Sequence, residues 1–509
     1  MPKNSLSRHA LIVGFCTLIS RVFGFARDMV IAQLFGAGFA VDAFLVANKI
    51  PNFMRRLFAE GAFSQAFVPV LAEYQKTKGD NQTKQFINHL CGVLSLVLLI
   101  ITVIGILAAP IVVVIFAPGF EHGGDRFNLT SQMLVYTFPY LLFISLTAMA
   151  GAILNTYDRF AIPAFTPVLL NLSLILCAVY LAPHLPQPVM ALAIGILIAG
   201  IVQLLFQFPF LSKIHRFPIP KPSLRDPGVR RVMMLMVPAL FGVSVGQINV
   251  MIDQWFASFL QVGSISWLYY SDRIAELPLG VFGVAIATVI LPNLSRKNAV
   301  HDHEQYSRIV DWSLRSVLLV GLPSSLGLIL LAGPILVCLL NHGAFTQQDV
   351  LLSEYCLMAF GLGLPAFMLI KVLASGFYAK QNIKLPVKIA VVALIANTLF
   401  SFCFIWSLKH VGLALATAFS ALINAGLLFY FLRKKAGYVV QPGWGIYAVR
   451  ILTALIGMAV YIYLVTPMTV HWFGQSTLWR VNHLSVSVVG ALAVYFFILY
   501  CTGYRWQRV

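Results

Sequence analysis

Charge is what this sequence has least of. Only 10% of its 509 residues are Asp, Glu, Lys or Arg, against about 25% in soluble domains. Hydrophobic residues make up 60%, and the mean hydropathy is +0.87. This composition excludes an ordinary soluble fold and predicts an all-α polytopic membrane protein. A patterned cysteine framework is also missing. The seven cysteines (Cys16, Cys91, Cys177, Cys338, Cys356, Cys403 and Cys501) are scattered and sit mostly inside apolar runs, without metal-ligand or disulfide spacing. No GxSxG, HExxH or P-loop is present. The single His/acid cluster, "HDHE" at 301–304, reads as a solvated turn. A cleavable signal peptide is not expected either. The N-terminus is basic, but Arg21 and Arg27 interrupt the following apolar run and no small-residue cleavage site follows.

What is present is apolar length. A spanning helix needs about 20 mostly apolar residues, and fourteen candidates appear: 10–34, 41–73, 86–116, 129–153, 161–182, 188–211, 231–259, 265–293, 309–340, 351–379, 386–407, 411–432, 446–466 and 483–502. Lys and Arg concentrate in cytoplasmic loops. With the N-terminus inside, the expected external loops hold only Arg126, Lys409 and Arg480. Lys76, Lys78 and Lys84, the run from Lys213 to Arg231, and Arg433 to Lys435 all fall on the cytoplasmic side. Most of the net charge of +18 is therefore topology rather than a nucleic-acid footprint. Fourteen spans with both termini cytoplasmic fit best.

The chain also repeats itself. "LAAPIVVVIF" at 107–116 returns as "LAGPILVCLL" at 331–340. At the same offset Lys49-Ile50 matches Arg273-Ile274, and Pro69 with Pro292 and Pro163 with Pro386 fall one residue short of it. Spans 1–6 and 7–12 thus read as two parallel copies of a six-helix bundle, a recurrent transporter design. The expected domains are a bundle at 1–211, a basic linker at 212–230, a bundle at 231–432, and spans 13–14 with a short tail at 433–509.

The scarce charges are not spread evenly. Span 1 carries Arg21, Arg27 and Asp28; span 2 carries Asp42, Lys49, Arg55, Arg56 and Glu60; span 8 carries Asp272, Arg273 and Glu276. A charge at the bilayer centre costs roughly 2.5–3.5 kcal/mol on insertion scales, so these groups cannot face lipid. At helical spacing Asp42, Lys49, Arg56 and Glu60 share a stripe flanked by Asn52, and Ser266, Tyr269, Arg273 and Glu276 share another. Internal pairing, such as Arg56 with Glu60 or Arg273 with Glu276, explains part of this. Yet cations outnumber anions, and five of the six cations are arginine, the side chain suited to bidentate capture of phosphate oxygens. The pattern reads as a hydrated cavity for an anionic, phosphorylated substrate.

These residues lie in "SRVFGFARD", "DAFLVANKIPNFMRRLFAEGAFSQAFVPVLAEY" and "WLYYSDRIAELPLGVFGVAIATVILPNLSR". The strings closely resemble the MurJ (MviN) family of lipid II flippases, within the multidrug/oligosaccharidyl-lipid/polysaccharide exporter superfamily, and the resemblance runs from end to end. It implies a multi-pass protein of the bacterial inner membrane. Such a protein moves lipid II, the undecaprenyl-diphosphate-linked disaccharide pentapeptide of peptidoglycan synthesis, from the inner to the outer leaflet by alternating access. Carried over by motif, the central cavity comprises Arg21, Arg27, Asp28, Asp42, Asn52, Arg55, Glu60, Ser266, Arg273 and Glu276. The family's essential arginines match Arg21, Arg27, Arg55 and Arg273, and its essential aspartate matches Asp42. Spans 13 and 14 would form an apolar groove for the polyprenyl tail. Some family members carry a sodium site, whose counterparts here are Asp253, Asn397 and Thr417. Coupling is left open between sodium, a proton and the membrane potential, with no resident cofactor or metal. The expected partners are lipid II and membrane lipids, with no nucleic acid. The chain is expected to work as a monomer, near the cell-wall synthesis machinery. A cation-coupled exporter of drugs or of another anionic lipid-linked oligosaccharide is the alternative within the superfamily, although a drug exporter would want a carboxylate-rich cavity and twelve spans. An intramembrane enzyme would need metal-ligating carboxylates or a large catalytic loop, and a scaffold would need no arginines.

Overall fold

A computed structural model describes residues 3–56, 63–283, 290–292, 294–296 and 302–504; the side chains of residues 3–11, 241–246, 282 and 303 fall outside it, as do Glu60 and His301. The described residues are helical and contain no strand. In chain order the helices are α1 (Lys3–Phe35), α2 (Phe39–Arg55), α3 (Ser64–Thr77), α4 (Gly79–Leu107), α5 (Ala109–Phe116), α6 (Asp125–Thr137), α7 (Tyr140–Thr156), α8 (Ala161–Leu176) and α9 (Met190–Lys213). They continue as α10 (Pro227–Ser258), α11 (Ser264–Pro278), α12 (His303–Leu330), α13 (Ala332–Leu339), α14 (Gln347–Ala379), α15 (Lys384–Lys435), α16 (Trp444–Val465) and α17 (Thr477–Cys501). Among the described residues, nine helices are long and apolar enough to cross a membrane. The expected spans outside that set are 1, 2, 7 and 8, and three of these four carry the concentrated charge.

Several expected spans are not single rods. Span 86–116 arrives as α4 and α5, which part at Ala108 (φ −93, ψ 13). Span 309–340 arrives as α12 and α13, which part at Leu331 (φ −107, ψ 14). Pro110 and Pro334 stand just beyond, and each removes a backbone donor and crowds the carbonyl four residues back. Conversely, α15 counts 52 residues, far longer than a bilayer requires. At Lys409 the backbone leaves helical geometry (φ 50, ψ −128). There the chain doubles back, because Phe400 and Phe404 both lie 6.0 Å from the ring of Phe419. The expected spans 386–407 and 411–432 are the two arms of this hairpin.

By internal contacts the chain forms two units, Met1–Gly263 and Ser264–Val509. The first has a core of Phe63, Phe67, Leu71, Phe86 and Ile153, which Val229 and Val232 join from α10. That packing joins the start of α10 to the first unit's core. The second unit contains a core in which Leu319 of α12 meets Tyr447, Ala454 and Met458 of α16 and Tyr495 and Leu499 of α17. The connector into α16 is fastened by one carboxylate. Asp311 accepts hydrogen bonds from Tyr438 Oη (2.8 Å), Trp444 Nε1 (2.7 Å) and the Gln441 backbone N–H (3.2 Å). It also pairs with Arg315 at 2.7 Å. Burial, then Asp311, push the Tyr438 hydroxyl pKa upward, so it stays a donor.

Candidate functional site

The charged stripe of α1 is built into the first unit through α8. Arg27 donates to Asp28 Oδ1 through Nη2 at 2.6 Å and Nε at 3.0 Å, and through Nη1 to Asn171 Oδ1 at 3.1 Å. Asn171 in turn donates to the Ser20 carbonyl at 3.1 Å. Asp28 is buried and Arg27 half-buried, while Arg21, two turns away, is exposed. The guanidinium of Arg27 is thus aimed by a carboxylate on one side and an amide on another. Asn171 escaped sequence reasoning. Its one signal was a polar residue inside the apolar run 161–182.

On α2 the polar groups form a ladder along one face. Asn52 donates to the Asn48 carbonyl (2.9 Å) and to Asn48 Oδ1 (2.7 Å), and Arg55 Nε donates to Asn52 Oδ1 at 3.1 Å. Asn52, Arg55 and Lys49 are half-buried and Arg56 is exposed. Glu60, expected on this stripe, lies outside the described residues. Asp42 stands at the other end of the helix, with 0% of its surface exposed. It accepts the backbone N–H of Gly263 at 2.7 Å. Gly263 adopts φ +93, a left-handed conformation that suits glycine. Nearby, Gly119 donates to Ser258 Oγ at 3.0 Å and Arg126 to the Leu260 carbonyl at 3.5 Å. The turn after α10 is therefore held by α2 and by the 119–126 segment.

In the second unit α11 carries Ser266, Arg273 and Glu276. Ser266 is buried, and Arg273 pairs with Glu276 at 3.1 Å while its guanidinium lies 5.2 Å from the Tyr269 ring centre. Here the expected internal pair forms. The helix is seated by Trp267 Nε1 on Asp349 (2.8 Å) and Ser271 Oγ on the Ser353 carbonyl (2.8 Å), both on α14. Asp349 also closes a capping box with Thr346 at the start of α14. Of the expected cation ligands, Asp253 is half-buried on α10, Asn397 is buried on α15, and the Thr417 hydroxyl donates to the Leu413 carbonyl at 3.0 Å.

Chemically, the guanidinium groups of Arg27, Arg55 and Arg273 each have an acceptor that orients them and further N–H groups that can meet phosphate oxygens. Residues 31–482 match the family model described as "Lipid II flippase MurJ". A "probable lipid II flippase MurJ" of Vibrio cholerae is 46% identical, over 98% of this chain and 97% of its own. The "Lipid II flippase MurJ" of Burkholderia cenocepacia is 42% identical, over 99% and 98%. A solved structure, "Lipid II flippase MurJ, inward closed conformation", aligns over 96% of this chain and 98% of its own, with TM-score 0.81 and 27% identity. A MATE family transporter of the MOP superfamily, inward-facing, shares the fold at TM-score 0.68 and 15% identity, over 84% and 98%.

Proposed function

The chain belongs to the MurJ family of lipid II flippases, and from that premise we propose how it works. It is a transporter, not an enzyme, and its substrate is lipid II. The reading rests first on relatives matched over nearly their whole lengths. We place it in the bacterial inner membrane with fourteen spans, both termini cytoplasmic, and two parallel six-helix repeats. The headgroup crosses from the inner to the outer leaflet by alternating access. Structures of this fold solved inward-closed and inward-facing support that motion. The diphosphate is taken by Arg21, Arg27, Arg55 and Arg273, with Asp28, Asn171, Asn52 and Glu276 aiming three of them. The polyprenyl tail lies on α16 and α17, and the chain acts as a monomer.

The test is to deplete the protein in its own cells and measure how much lipid II an externally added lipid II-cleaving toxin can reach. Accessible lipid II should fall on depletion and return with wild type. With well-expressed Arg27→Ala or Arg273→Ala it should stay low. Unchanged accessibility on depletion would overturn the substrate. Full recovery with the arginine variants would overturn the diphosphate site alone.

A further inference from the structure

The segment joining α9 to α10 runs without helix from Arg216 to Ser223, yet it is fixed at both ends and in the middle. At its start, buried Arg216 donates to Tyr157 Oη at 2.6 Å and to Asp80 Oδ2 at 3.1 Å. At its end Asp226 caps α10, accepting from Gly228 N–H at 2.8 Å, and meets His89 Nδ1 of α4 at 2.8 Å. Between them the sequence is "FPIPKPSLR", residues 217–225. From Pro218 to Pro222 only Ile219 and Lys221 possess a backbone N–H. Both are donated to one residue of α4: Ile219 to Asn88 Oδ1 at 2.8 Å and Lys221 to the Asn88 carbonyl at 3.1 Å. One turn on, Gly92 lets the strap lie directly on the helix, since a Cβ there would stand 2.3 Å from Pro222 N.

From Pro218 to Pro222, then, every backbone donor is either paired or absent. Irregular backbone tolerates a poorly hydrated setting only on that condition. Its height is set as well, because Asn88 and Gly92 lie near the cytoplasmic end of the apolar run 86–116, at the edge of the inner leaflet on the orientation proposed above. The outward side chains alternate in character. Ile219 and Leu224 are 49% and 64% exposed, and Lys213, Lys221 and Arg225 are exposed beside them. Phe217 is partly exposed, with its ring 4.9 Å from Phe208 of α9. Apolar groups that reach toward acyl chains beside cations at headgroup level form a surface complementary to an anionic leaflet.

We infer that the 217–225 strap is an anionic-phospholipid docking surface, seated on α4 by Asn88 and Gly92, with Lys213, Lys221 and Arg225 meeting the headgroups. The full-length chain, with its native cysteines replaced and Ser223→Cys carrying a nitroxide, would be reconstituted in phosphatidylcholine bilayers with and without phosphatidylglycerol. Adding phosphatidylglycerol should raise the ratio of oxygen to nickel-chelate collisions several-fold. Lys221→Glu with Arg225→Glu should abolish that rise while the protein stays folded. A ratio typical of water in both bilayers would overturn the inference and leave the strap available to a soluble partner. An equally apolar ratio in both would overturn the headgroup preference.

Discussion

Asp42 and Arg27 are the two residues whose surroundings define most about this protein. Asp42 spends its carboxylate on the N–H of Gly263, and a hydrogen bond to a buried charged group is worth about 1.5–3 kcal/mol. Asp42→Ala should destabilise the detergent-solubilised protein by roughly that amount. Asp42→Asn should retain part of it, because the amide oxygen still accepts; thermal unfolding of the two variants side by side measures the difference. For Arg27 the geometry rather than the charge is decisive. Lysine cannot contact Asp28 and Asn171 together through a planar fork. Arg27→Lys should therefore lose most transport in the toxin-accessibility assay, and Asn171→Ala should lower it with Arg27 intact. Full activity in Arg27→Lys would mean that a point charge suffices. The charges themselves were legible in the sequence, because each is costly in an apolar run. Asn171 and Gly263 were not, since their roles depend on which helices pack together, and spacing along one chain does not record that.

At the scale of elements, α16 and α17 depend on a connector tied to α12. Asp311 and Arg315 are mostly buried, with side chains 5% and 16% exposed, and Arg315 also donates to the Pro442 carbonyl at 2.8 Å and lies 5.1 Å from the Trp444 ring centre. Removing one partner of such a pair typically costs about 3–5 kcal/mol. Asp311→Ala should therefore loosen the start of α16, read as faster hydrogen exchange across 438–450 with the first unit unchanged. Uniform protection in the variant would show the connector to be held by packing alone. The sequence makes the apolar helices α4, α9, α14, α16 and α17 plain, because composition alone separates them from the loops. The interruptions at Ala108 and Leu331 fall inside apolar runs, where Pro110 and Pro334 are their one signal in the sequence. The placement of α10 beside α3 and α4 is hidden, since it follows from Val229 and Val232 packing on the Phe86 core.

At the scale of the whole molecule, orientation and driving force follow from where charge sits. A net charge of +18 with few external cations predicts that Lys434→Cys is shielded from a membrane-impermeant maleimide in intact spheroplasts. Gln475→Cys, in the turn between α16 and α17, should react; the reverse pattern would invert the topology. The driving force is the harder question. Moving one charge through 100 mV is worth about 2.3 kcal/mol, close to a fifty-fold change in an equilibrium. An arginine-rich binding surface that changes its exposure on each cycle, or the diphosphate it carries, would feel that field directly. A sodium ion would instead need ligands, and Asp253 is the one carboxylate among the three candidates. Vesicle-reconstituted protein is accordingly expected to respond to an imposed potassium-diffusion potential and to transport equally in sodium and choline. If replacing sodium cuts the rate and Asp253→Asn reproduces that loss without unfolding, the coupling belongs to the ion rather than to the field.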